Sequence, residues 1–350
     1  MVLSSLHLIV LAATVAAGCG GLSATPLAGG SSSLPTRTQS SPDRTHSPAA
    51  ATPSKEPSAR PSEASEAPVP APSGMIAFGV TDTVTGEVHM EIIRPDGTLV
   101  RRIDAAGAAR WSPSGDRLLT GTELLGGQIG TAIMNPDGTG KVVLPLPDHT
   151  LNLVCGAWSP DAMRIACEGW DDADKSRAGV YTMRIDGSEL VRVTSNDTGS
   201  NDIPGDYSPD GVWIAFVRAA DATGARPAVF VVPVVGGEPR RVTPLGTSDC
   251  CVVRWAPDGS KLLSDAGPLF TVNPDGSDLT AISLERFGID GIAFAPAWSP
   301  DGRWVVFSYT QPGSKEVDLW LARSDGTNLV QLTDTSHVEE FVDWTAADSP

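Results

Sequence analysis

Five cysteines, five histidines and 42 acidic residues are the side chains in this 350-residue sequence with the most chemistry to offer. Spacing decides what they can do. Apart from Cys19, the cysteines form an even set (Cys155, Cys167, Cys250 and Cys251), which in an exported chain points to two disulfides. Cys155 and Cys167 flank Ser159-Pro160-Asp161 almost symmetrically, so they are expected to face each other across a hairpin. Cys250-Cys251 would then form a vicinal disulfide or stay reduced. A four-cysteine metal site is not expected, because two Cys-x-x-Cys knuckles are missing.

Two acidic clusters stand out: Glu168, Asp171, Asp172 and Asp174, then Asn196, Asp197, Asn201 and Asp202. Either could offer oxygen ligands to calcium. Neither follows the Asp-x-Asp-x-Asp-Gly spacing with a terminal Glu, so solvated loops are expected and no cofactor is assigned. Trp170 beside the first cluster reads as an exposed contact residue, since aromatics anchor interfaces. His149 and His337 have no spaced partners and read as polar surface. No Gly-x-Ser-x-Gly elbow, His-Glu-x-x-His pair or phosphate-cradling loop occurs. His7 and His46 lie in the N-terminal segments, leaving His89, His149 and His337 for the globular part. That is too few for most polysaccharide lyases or glycosidases built on a channel, which remain the alternative to a non-catalytic binding module.

The elements that must position these residues come from an internal repeat. Trp111-Ser-Pro-Ser-Gly115, Trp158-Ser-Pro-Asp161, Tyr207-Ser-Pro-Asp-Gly211, Trp255-Ala-Pro-Asp-Gly259 and Trp298-Ser-Pro-Asp-Gly302 recur, with Trp344-Thr345 as a degenerate sixth copy. A second turn alternates with the first, as in Pro95-Asp96-Gly97, Pro136-Asp137-Gly138 and Ser324-Asp325-Gly326. Asp-Gly between β-branched runs is a hairpin signal, because glycine accepts the positive φ such turns need. Each period therefore holds four antiparallel strands, which describes a propeller blade. Trp111, Trp158, Tyr207, Trp255, Trp298 and Trp344 would end the innermost strands and pack between blades.

Strand counting predicts how the ring closes. The globular part opens at Met75–Val80 without an innermost strand and ends at Glu339–Trp344 with an innermost strand alone. Joined, they complete a sixth blade and leave no open edge. The expected fold is all-β, a six-bladed propeller of four-stranded antiparallel blades, closed by pairing its N- and C-terminal strands. Both tight turns of each blade then share one face, and the longer loops emerge on the other. Loops on rigid scaffolds carry function. The expected binding face is therefore the long-loop face, with Trp170, Asp171, Asp172, Asp174, Asn196, Asp197, His149 and His337.

The Trp-Ser-Pro-Asp-Gly element, with Asp-Gly about 25 residues on and a Leu-Thr ending such as Gln331-Leu332-Thr333, resembles the TolB-type propeller repeat. The resemblance covers about residues 75–345, the propeller is assigned to 74–346, and 347–350 are left as a tail. The expected partner is a protein, peptide or glycan on the long-loop face, and the protein is expected to be a monomer. TolB itself carries an N-terminal α/β domain where this sequence has a stalk, so only a TolB-like lipoprotein is implied.

Residues 1–18 read as a signal peptide, with an apolar run from Leu8 to Ala17. That run falls short of the roughly 20 apolar residues of a spanning helix. Ala16-Ala17-Gly18-Cys19 resembles the bacterial lipobox, which implies lipidation of Cys19 and anchorage on the extracytoplasmic side of a bacterial cell membrane. The alternative is simple secretion. The stalk, residues 19–73, is so rich in Ser, Pro, Thr and Ala that nothing offsets the entropy of ordering it. Its reach as a flexible coil is on the order of 40 Å. A net charge of −17 argues against nucleic acid, which needs a basic face. Contact with a membrane is expected only through the lipid.

Overall fold

The computed structural model describes residues 71–348, apart from 105, 125–127, 196–199, 220–226, 246–251 and 266–267. The signal peptide, Cys19, most of the stalk, Asn196, Asp197, Cys250 and Cys251 lie outside the described residues. The chain begins with β1 (Met75–Thr81), β2 (Val88–Ile93) and β3 (Leu99–Asp104). Five four-strand units follow, each beginning with an innermost strand. Blade two is β4 (Ala109–Trp111), β5 (Leu118–Glu123), β6 (Ile129–Met134) and β7 (Val142–Val143). Blade three is β8 (Asn152–Trp158), β9 (Arg164–Trp170), β10 (Gly179–Arg184) and β11 (Val191–Arg192). Blade four is β12 (Asp202–Tyr207), β13 (Trp213–Arg218), β14 (Ala228–Pro233) and β15 (Arg240–Arg241). Blade five is β16 (Val253–Trp255), β17 (Leu262–Asp265), β18 (Leu269–Val272) and β19 (Thr280–Ala281). Blade six is β20 (Ile292–Trp298), β21 (Trp304–Thr310), β22 (Asp318–Arg323) and β23 (Val330–Gln331), and β24 (Val338–Thr345) ends the chain.

All six sheets have four antiparallel strands, and β24 joins β1–β3 as the inner strand of blade one. Ile76 lies opposite Trp344 and Val80 opposite Glu339. The predicted closure is therefore the observed one.

Each blade is covered on both faces by its neighbours, so its middle strands are continuously apolar rather than alternating. In β21, Trp-Val-Val-Phe-Ser-Tyr is buried throughout. The outermost strands β7, β15, β19 and β23 are two exposed residues each. So short an edge offers little to pair with. Between blades, Trp111 packs with Met75, Met90 and Ile92 of blade one and Leu118 of its own blade. Tyr207 meets Ala157, Ala166 and Val180 of blade three.

Local chemistry explains the repeat. Ser208 Oγ donates to Asp210 Oδ1 at 2.5 Å, the Val212 amide donates to the same oxygen at 3.0 Å, and the Trp213 amide donates to Ser208 Oγ at 2.9 Å. One serine and one aspartate thus satisfy the turn's stray donors. Gly211 takes a φ of 72°, and a Cβ there would sit 3.7 Å from Pro160 of the preceding turn, so consecutive turns nest around the ring. In the Ser-Pro-Asp161 copy, which lacks the glycine, Ala162 adopts a φ of 57° in its place.

Cys155 and Cys167 are register partners on β8 and β9 and form a disulfide. They close a loop with a sequence separation of 12, for which chain entropy assigns roughly 3 kcal/mol at most. A Cys155→Ala/Cys167→Ala variant is expected to lose about 2 kcal/mol. Calorimetry with and without dithiothreitol checks this: reduction should lower the melting temperature of the native chain and leave the variant unmoved.

Candidate functional site

The inner strands surround a central channel, and the residue preceding the aromatic of each repeat sets the charge at one end of it. Around the ring these residues are Asp343, Arg110, Ala157, Asp206, Arg254 and Ala297. Acid, base and alanine thus occur twice in succession. Arg110 of blade two reaches across to blade four, donating from Nη2 to Asp206 Oδ1 at 2.8 Å and from Nη1 to the Gly205 carbonyl at 3.2 Å. Its Nε lies 3.3 Å from Asp343 Oδ1 of blade one. One guanidinium therefore holds both carboxylates and bridges the channel.

The far oxygens of those carboxylates support the next blade. Asp343 Oδ2 accepts the Trp111 amide at 2.8 Å, and Asp206 Oδ2 accepts the Trp255 amide at 3.3 Å. Burial pushes Asp206 up to about 6 despite Arg110, and burial likewise raises Asp343. Arg254, 6% exposed, has no acid within salt-bridge distance among the described residues. It donates from Nη1 to the Gly205 carbonyl at 3.2 Å, and its Nε has no partner. Gly205 is required there, because a Cβ would stand 2.1 Å from the Val253 carbonyl oxygen.

Above this floor opens a funnel of about 410 Å³. Its walls are Trp111, Trp158, Tyr207, Trp255, Trp298 and Trp344, and its rim is Pro113, Pro160, Pro209, Pro257 and Pro300 from the tight turns. The aromatics therefore do two jobs: they pack between blades and they line a cavity. Five are buried and Trp298 is half-buried. Trp158 Nε1 donates to the Arg110 carbonyl at 3.2 Å and Trp344 Nε1 to that of Ser73 at 2.9 Å. Among the described residues the indole nitrogens of Trp111, Trp255 and Trp298 and the Tyr207 hydroxyl have no partner. A groove of about 530 Å³ runs off between blades five and six, sharing Pro257, Trp298 and Pro300 with the funnel and flanked by Asp258, Asp301 and Asp325.

Both depressions lie on the tight-turn face, opposite the loops that the sequence points to. Those loops are also less open than expected. Glu168 and Trp170 belong to β9 and are half-buried, because β9 continues to pair with β8 as far as Asn152. Burial, reinforced by Asp202, pushes Glu168 up to about 7. Asp171 is 7% exposed rather than solvated: it accepts Arg177 Nη1 at 2.8 Å, and Arg177 also holds Asp148. Asp174 accepts the Ser176 amide at the start of a short 3₁₀ turn, Lys175–Arg177. Asp172 is exposed and reached by Asn152 and Lys175. Asp202 is fully buried in β12, with Arg218 donating at 2.6 and 2.8 Å. His149 is exposed, and His337 stands 3.9 Å from Asp82. Among the described residues no group of three or more His, Cys, Asp or Glu is gathered as metal ligands. No helix among them is long and apolar enough to cross a membrane.

Arg110, Asp206, Arg254 and Asp343 were not singled out from the sequence. The signal was present as the residue before each aromatic, and aligning the six copies on that aromatic exposes it.

Comparison with known proteins bears on the fold. No protein-family model matches the chain. An uncharacterized protein of Agrobacterium fabrum, Atu1656, is 26% identical over 92 residues, covering 25% of this chain and 29% of its own. The chain thus spans less than a third of that relative's length. TolB from Acinetobacter baumannii superposes with a TM-score of 0.60 at 16% identity, covering 77% of this chain and 66% of its own. Hydrazine synthase of Kuenenia stuttgartiensis gives 0.59 at 14% identity, over 80% and 48% respectively. Likeness at these identities speaks for architecture alone, and the architecture is the TolB-like, six-bladed β-propeller.

Proposed function

We propose that this chain is a lipid-anchored, extracytoplasmic binding module that takes a protein partner at the funnel on its tight-turn face, without catalysis and without a cofactor. The observation that carries the reading is the funnel itself, walled by Trp111, Trp158, Tyr207, Trp255, Trp298 and Trp344 and rimmed by prolines of the tight turns. Apolar clefts with a few convergent polar groups are the usual form of a recognition site. Both carboxylates at its floor are engaged by Arg110 and by backbone amides, so neither is free to act as acid, base or nucleophile. That weighs against a glycosidase or lyase at this mouth. The anchor rests on the lipobox-like Ala16-Ala17-Gly18-Cys19.

A photo-crosslinking amino acid at Pro257, on the exposed rim of the funnel, and separately at Asp172, on the loop face, tests the assignment in cells. A discrete protein adduct from position 257 and none from 172 is the expected result; adducts from 172 alone would move the site to the loops. Cys19→Ser in the same strains should shift the chain from the membrane fraction to the soluble one.

A further inference from the structure

The floor of the funnel is neutral in sum but unevenly satisfied. Two arginines and two aspartates face one another, yet Arg110 takes both acids. Among the described residues Arg254 keeps a single hydrogen bond, to a carbonyl that Arg110 also uses. A guanidinium has five N–H donors, and a cation held out of water without a counter-charge is costly. Arg254 lines the funnel, and its spare donors are what an anionic group entering there would meet.

Resting on the funnel as the binding site, we propose that Arg254 receives the C-terminal carboxylate of a peptide whose preceding residues leave along the groove between blades five and six. A carboxylate matches the planar fork of arginine, which binds it with two charge-assisted hydrogen bonds. Arg110 bridges the channel below, so a chain cannot thread through and must enter end-on. The funnel, about 410 Å³, has the size of a cleft for a small ligand or a chain end rather than a folded domain. The exit groove excludes a polyanion, because Asp258, Asp301 and Asp325 flank it and its one cation, Lys261, is paired to Asp278 at 2.7 Å. An acidic polysaccharide would therefore be repelled along most of its length, whereas a neutral or basic peptide with one terminal charge satisfies both the floor and the walls.

The test uses the full chain and N-acetylated random hexapeptides, prepared either as free acids or as C-terminal amides, with retained peptides read by mass spectrometry. Free acids should be retained, with at least tenfold weaker retention of the amides and of all peptides on Arg254→Met. Arg254→Met should melt no lower than the native chain, since it removes a buried cation with no acid within salt-bridge distance among the described residues, and that separates lost binding from lost folding. Equal retention of acids and amides by both proteins would overturn the carboxylate anchor while leaving the funnel reading intact. Amides carrying Asp or Glu that bind as well as free acids, and depend on Arg254, would overturn the C-terminal assignment. Oligogalacturonate bound in preference to peptide would overturn the peptide class. No retention of any peptide would also overturn the proposal, and a simultaneous absence of adducts from position 257 would take the funnel reading with it.

Discussion

Arg110→Met is expected to lower stability by about 3–5 kcal/mol at pH 8, the scale for leaving a buried charge without its partner. In a propeller of this size that corresponds to a drop of roughly 10 °C in melting temperature. The variant strands Asp206 and Asp343 together, both already raised by burial. The sign of the pH dependence follows. A carboxylate whose folded pKa exceeds its unfolded value is tolerated when protonated and costs stability once ionised. Asp206 stands at about 6 with Arg110 in place, and the removal of that cation pushes it higher. The deficit of the variant should therefore be largest at pH 8 and shrink as pH falls through 6 towards 5. Adding Asp206→Asn and Asp343→Asn should restore much of the loss, because asparagine still accepts the Trp111 and Trp255 amides. Calorimetry at pH 5 and pH 8 decides the matter. A deficit that is the same at both would mean that Arg110 acts through packing rather than charge.

This pairing also marks where sequence reasoning stops. The blade count and the closure were legible because they depend on local chemistry: Ser208, Asp210 and Gly211 complete a turn within a few residues of one another, and that turn repeats. The Cys155–Cys167 disulfide was legible for the same reason, being symmetric about such a turn. Arg110 and Asp206 are separated by 96 positions and meet only because the ring folds them across the channel. Asp202 was placed on a solvated loop, whereas it faces Arg218 in a strand pair. Acidic residues beside a loop look alike in sequence whether or not a cation stands opposite, so composition could not show that Asp202 is buried and paired. Asp171 with Arg177 repeats the lesson. The turn motif pointed to structure strongly enough that its aromatics read as packing alone, and their second role as a cavity wall needed the ring in three dimensions.

Deletion of residues 338–350 tests the closure, and its effect should be the largest of all. The deleted segment contains β24, which supplies the inner strand of blade one. Without it, Met75, Ile76 and Val80 lose the strand that covers their edge, although all three are almost fully buried in the intact chain. Val342 and Trp344 are buried as well, and exposing two such side chains costs about 4–6 kcal/mol. That is a large part of the roughly 5–15 kcal/mol by which folded domains are stable. Asp343 leaves with the strand, so the Trp111 amide loses its acceptor and Arg110 one of its two acids. The open edge of β1 is a template for another chain. The truncated protein should therefore unfold without cooperativity or associate through β1, to be read by light scattering after size-exclusion chromatography and by circular dichroism on heating. A synthetic peptide of residues 338–350, added in trans, should restore a monomer by taking the vacant place in the sheet. A truncated chain that stays monomeric and melts like the native one would refute the closure; failure of the peptide alone would indicate that the strand must be tethered to compete with self-association.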